Sequence, residues 1–157
     1  PALAQQPTVP AHAKMVDQKG NTLGTAVLTQ VPKGVLIELN LEGLPPGLHG
    51  IHIHQTGKCD GADKFVSAGG HFAPGGHEHG YQSSNGPHAG DLPNLIVPES
   101  GMLKLQIFTD AVTMGAGETS LYDADGSALV IHAKADDYRS QPAGDSGDRI
   151  ACGVIEK

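Results

Sequence analysis

The sequence predicts an all-β fold, a sandwich or barrel of about eight short strands, on three observations. Apolar and polar residues alternate in short stretches along most of the chain, the period of a half-buried strand. No apolar repeat of helical period lasts longer than a turn or two. Glycine is abundant at 22 of 157 residues while aromatics make up only 4%, so much of the length is spent on turns and loops.

The elements follow in order. Pro1 to Ala11 hold three prolines and no periodicity, so residues 1–11 are expected to form a mobile tail and 12–157 one domain. Ala13 to Asp17 and Leu23 to Val31 alternate loosely across Lys19-Gly20-Asn21, which reads as a hairpin. Val35, Ile37, Leu39 and Leu41 share one face of the clearest core strand. Leu48 to Gln55 is the next strand, and it carries His52 and His54. After a long loop, Leu95 to Val97 and Met102 to Thr109 alternate again, with Leu103, Leu105 and Ile107 opposite Met102 and Phe108. Ala128 to Ala133 ends at His132, and a second polar loop, Asp136 to Asp148, leads into the closing strand Arg149 to Ile155.

Bulk properties exclude several functions. The length suits a single core that buries about two-thirds of the unfolded surface. A net charge of −7, with 10 basic residues dispersed among 17 acidic ones, argues against nucleic acid, which needs clustered Lys and Arg. An anionic substrate would need a local positive site. Apolar runs such as Leu95-Ile96-Val97 fall far short of the roughly 18 residues of a membrane span. Cys59 and Cys152 have no CxxC spacing, and they read as one long-loop disulfide in an oxidising compartment. Closing that loop would constrain the unfolded chain by roughly 4–5 kcal/mol on the entropy account. Ala2-Leu3-Ala4 before Gln5-Gln6-Pro7 resembles the small-residue end of a cleaved export signal.

Chemistry concentrates in Leu48 to Asp91, which holds seven of the nine histidines. His52 and His54 sit at i and i+2, so on a strand both imidazoles leave the same face. His71, His79, His88 and Asp91 are spread over a segment too rich in Gly, Pro, Ser and Asn for regular structure. A bound ion would order it. Three imidazoles and one carboxylate suit tetrahedral zinc with no open position. An all-histidine set around His52 and His54 favours copper, the redox-capable choice. His49 reads as a hydrogen-bonded core residue, His12 as solvated, and His77 as a weaker competitor of His79.

These residues resemble the copper–zinc superoxide dismutases over nearly the whole chain, from about His12 to Ile155, and the bacterial secreted members in particular. Leu48-His49-Gly50-Ile51-His52-Ile53-His54 is similar to the copper strand of that family. Ser67 to Pro74 is similar to the segment of its bridging histidine, and His79-Gly80 with Pro87 to Leu92 to the remaining zinc ligands. Val130-Ile131-His132 with Lys134 to Asp137, and Gly147 to Val154, are similar to its last copper ligand and its C-terminal signature.

The resemblance implies an eight-stranded Greek-key β-barrel or sandwich with two long functional loops. It implies copper on His52, His54, His71 and His132, and zinc on His71, His79, His88 and Asp91, with His71 shared between the ions. It further implies an exported enzyme, periplasmic or extracellular, that converts two superoxide anions to O2 and H2O2 by alternate reduction and oxidation of copper. Arg149 would dock the anion, and Asp136 would link His52 to His79. A homodimer and a copper-donor protein are the further partners it implies. The loop before Arg149 departs from the animal and plant pattern, with Pro142 and Ala143 where lysine and threonine stand there. Lys58, Lys64, Lys134 and Arg139 are therefore the candidates for steering the substrate.

Overall fold

A computed structural model describes residues 9–157. Among these residues there are nine strands: β1 (Ala11–Asp17), β2 (Thr22–Val31), β3 (Gly34–Leu41), β4 (Gly47–His49), β5 (Ile51–His54), β6 (Leu95–Val97), β7 (Leu103–Thr109), β8 (Ala128–His132) and β9 (Arg149–Val154). Most of the expected tail lies outside the described residues, but Ala11 opens β1 and is fully buried. Seven strands form one curled antiparallel sheet in the order β5-β8-β9-β1-β2-β3-β7, and β4 pairs with β6 in a separate ribbon. From β3 the chain crosses to the far edge at β5 and later returns beside β3 as β7.

The expected strand Leu48 to Gln55 is two strands. Below Gly50 the chain pairs with β6, and above it with β8. The break is a change of partner at Gly50, across which His49, Ile51 and Ile53 all stay buried.

Alternation places the core. Val35, Ile37, Leu39 and Leu41 of β3 pack inside the curl with Leu28, Ile51, Ile53, Leu129 and Ile131, each fully buried aliphatic stabilising the fold by about 1.5–3 kcal/mol. The opposite face of β5, β8 and β9 carries His52, His54, Ala128, Val130, His132 and Cys152. That face would meet solvent, yet all four residues of β5 are buried. A second apolar cluster covers part of it, in which Phe65 and Ala68 pack on Ala128, Val130 and Cys152. The Cys59–Cys152 disulfide anchors the covering loop there.

The loop also closes the edge of β5. Ile53 donates to the Gly90 carbonyl and accepts from Phe72 N–H, both at 2.8 Å, and Gln55 N–H donates to Gly70 O at 2.9 Å. An open edge invites pairing with another chain; here it places His71 opposite His54 and Asp91 opposite His52. At the other end, a register shift between Ile131 and His132 pairs His132 with Arg149.

Candidate metal centre

Six histidines and two aspartates converge on the outer face of β5 and β8. Hydrogen bonds fix which nitrogen of each ring carries the proton, because a carbonyl or carboxylate only accepts. His54 Nδ1–H donates to Gly69 O at 2.9 Å and His132 Nδ1–H to Gly147 O at 3.3 Å. Both rings therefore carry their lone pair on Nε2, and these two nitrogens face each other at 3.3 Å. His52 donates Nε2–H to Asp136 at 2.8 Å, which leaves its Nδ1 buried without a partner. His71 Nε2 is likewise buried and unpartnered. Acceptor nitrogens turned toward one another in a dry pocket are unfavourable unless a cation lies between them.

A second constellation adjoins the first through His71. Its Nδ1 lies 3.1 Å from both His88 Nδ1 and Asp91 Oδ1. His79 Nδ1 is 3.0 Å from Asp91 Oδ1, and His88 Nδ1 is 3.5 Å from it. Tetrahedral bonds of about 2.0–2.1 Å set ligand atoms roughly 3.3 Å apart, so this spacing already matches zinc.

A family model of copper/zinc superoxide dismutase (SODC) matches residues 22–155. Cu-Zn superoxide dismutase 2 of Aquifex aeolicus is 47% identical, over 92% of this chain and 85% of its own length. The enzyme of Caulobacter vibrioides is 40% identical, over 87% and 80%. The chain belongs to the copper/zinc superoxide dismutase family. Among solved structures, a double mutant of a SOD-like protein from Bacillus subtilis superposes with a TM-score of 0.89, at 37% identity over 93% of this chain and 97% of that one. The Cu/Zn superoxide dismutase of Brucella abortus superposes with a TM-score of 0.76, at 31% identity over 94% and 100%.

As in the sequence reading, the fold is that of copper/zinc superoxide dismutases and the histidine groups are able to hold metal ions. Two groups have all their ligand atoms within 4.8 Å of one another: His52, His54, His71 and His132, and His52, His71, His79 and Asp91. The second contains His52 where the sequence reading has His88. His52 can give one lone pair, since Asp136 takes its Nε2–H. That lone pair cannot serve two ions, and His88 Nδ1 lies 3.1 Å from His71 Nδ1 beside the second group.

Burial shapes the electrostatics. It holds His54 well below the ordinary histidine value, with the neighbouring His71 adding to the effect, and drives His71 to about 4 and His132 to about 3. His52 is lowered too, against the pull of Asp136. For His79 burial also works downward, but the Asp136 and Asp91 carboxylates win and raise it to about 9. Both carboxylates are held well below the usual range, their burial outweighed by histidine hydrogen bonds.

Arg149 is half-buried beside the first group and donates Nη1–H to Phe65 O at 2.8 Å. Burial lowers its ordinary value, opposed by Asp63. Lys134 is held by Asp145 at 3.3 Å. His49 is a core residue, its ring nitrogens 2.8 Å from His132 O and 2.7 Å from Pro45 O. The Cys59–Cys152 disulfide is formed.

Two contributors escaped the sequence reading. Asn94 clamps Asp136 by accepting its N–H at 2.8 Å and donating to its carbonyl at 2.9 Å. Gly144 lies so close to Asp136 Oδ1 that a Cβ there would stand 1.8 Å from it, at a φ of +69°. Neither has a ligand side chain to flag it, and each meets Asp136 only through the fold.

Proposed function

We propose that the chain dismutates superoxide with copper held by His52, His54, His71 and His132, and zinc held by His71, His79, His88 and Asp91. The facing, proton-free nitrogens of His54 and His132 at 3.3 Å, beside the orphaned His52 Nδ1 and His71 Nε2, carry this reading. Bound copper supplies the one-electron chemistry that oxidises one superoxide to O2 and reduces a second to H2O2.

The protein's own groups do the rest. Asp136 accepts Nε2–H from both His52 and His79 at 2.8 Å, so the Nδ1 of each would be left to hold a metal. His71, with its ring proton lost, would offer one nitrogen to each set and so join them. Its Nε2 faces the copper set and can carry a proton to the reduced product. His71, His79, His88 and Asp91 would close all four positions around zinc and leave none for substrate, and the bound ion would order the loop that holds His71. Arg149 gives the anion a charged, hydrogen-bonding dock inside a protein of net charge −7.

The disulfide and the bacterial relatives support export to the periplasm or beyond the cell. No helix among the described residues is long and apolar enough to cross a membrane. Leu48 and Ile96, opposite each other on the β4–β6 ribbon and 51% and 72% exposed, supply an apolar patch for a homodimer. The deep burial of His52 and His54 favours loading by a copper-donor protein.

The deciding test is superoxide consumption by protein loaded with both metals, with metal content measured alongside. His132→Ala is expected to lose copper and activity together. Arg149→Ala is expected to keep copper and lose about tenfold in kcat/KM, the low end of what charge focusing supplies. Full copper and zinc without activity would leave metal storage as the function.

A further inference from the structure

We propose that the cavity between His77 and His88 is the port through which zinc reaches its site, and that His77 holds the ion in transit. The proposal rests on His71, His79, His88 and Asp91 being the zinc ligands, and it concerns how the ion arrives.

In that set the side chains of His71, His79 and Asp91 are 4%, 0% and 1% exposed, while His88 is 12% exposed. The set therefore opens to solvent at His88. A cavity of about 330 Å³ ends on this residue, walled by Pro74, Gly86, Pro87, Ala89 and Ala111, with His77 on its lining. Apart from the Thr119 hydroxyl, the side chains of these walls offer no ligand, so the two imidazoles are the strong donors an ion inside would meet.

His77 also lines a second, more open cleft of about 490 Å³, shared with Glu78, Ser84 and Asn85. The ring thus stands between an outer cleft that carries a carboxylate and an inner cavity that ends at a ligand. Its tautomer suits the task. Nδ1 lies 3.2 Å from the Asn85 carbonyl and must donate to it, which leaves the lone pair on Nε2. The ring lies over Gly75, where a Cβ would come within 3.0 Å of its Cδ2. No element of the final site needs this orientation, because the ring's hydrogen bond goes to the Asn85 carbonyl and to none of the four ligands.

A way-station differs from a ligand in its kinetics. It speeds arrival and departure by the same factor and leaves the dissociation constant unchanged. The test uses the full chain, following uptake of Co(II) into zinc-depleted protein by its visible absorbance and release of zinc from loaded protein to excess chelator. His77→Gln keeps an N–H for Asn85 but removes the imidazole; Ala111→Phe narrows the cavity and leaves His77 in place. Both variants are expected to slow uptake and release alike by roughly three- to tenfold, within the range over which association rates vary among variants of one site, with unchanged affinity. Wild-type rates in both would overturn the port and leave the zinc ligands standing. Weakened affinity at an unchanged uptake rate would overturn it too, by making His77 part of the bound site. A wild-type chain that takes up no Co(II) or zinc would overturn the ligand set and the port together.

Discussion

At the scale of single residues, the site depends on groups that never touch a metal. Asp136 decides the tautomer of His52 and His79 at once, and Gly144 decides whether the second loop can lie against Asp136. Alanine at 144 would place a methyl 1.8 Å from Asp136 Oδ1 and 2.7 Å from His79 Nε2, so either the carboxylate or the loop must move. Outer hydrogen bonds of this kind are worth about 10- to 100-fold in metal affinity. Gly144→Ala is expected to weaken zinc binding by that order in a chelator competition. Gly20→Ala provides the control, because Gly20 shares the positive φ, at +85°, and has no atom within 4 Å. It should carry only the backbone strain of about 1–2 kcal/mol and leave zinc affinity intact. Glycine and aspartate are common in any loop, so nothing in the sequence separates Gly144 from the other glycines. The ligands were legible because histidine is rare elsewhere in the chain and crowded here.

At the scale of elements, legibility followed hydrogen-bonding partners. Strands with one buried face announce themselves by alternation, and β1, β2, β3 and β7 do so. The break between β4 and β5 does not, because it is a change of partner at Gly50, from β6 to β8. The long loop after β5 could be recognised as irregular, but its second core of Phe65 and Ala68 on Val130 and Cys152 could not. Those contacts join residues far apart in sequence with no periodic signal between them. The disulfide is the covalent part of this core, and its cysteines are 93 positions apart. Removing it with Cys59→Ser is expected to lower unfolding stability by about 2–5 kcal/mol, read from the urea midpoint. Losing the tie also frees the loop that carries Phe65, whose carbonyl receives Arg149. Activity per bound copper should therefore fall in the same variant even where the fold persists.

At the scale of the whole molecule, the charges buried for metal binding leave the metal-free protein stable over a narrow pH range. His54, His71 and His132 are held neutral by burial, His71 near 4 and His132 near 3, well below the ordinary value of 6.5. A group whose value is depressed on folding binds its proton more readily when unfolded. Its contribution is complete above 6.5 and is lost as the pH falls toward 4 and then 3. Asp91 and Asp136, also depressed, extend the loss below 3.8. His79 has the opposite sign. Its value is raised to about 9 by two carboxylates, so its contribution is complete below 6.5 and disappears as the pH rises through 9. The two slopes meet near the ordinary histidine value, and the urea midpoint of metal-stripped protein is expected to peak at about pH 6.5 and fall on both sides. Zinc and copper replace the protons in this balance, since each ligand must be deprotonated to bind. The loaded protein should consequently hold its midpoint across the alkaline side, where the metal-free protein declines. A metal-stripped chain whose midpoint stays flat from pH 4 to pH 9 would mean that these imidazoles are not held neutral by burial, and the facing lone pairs would then need another origin.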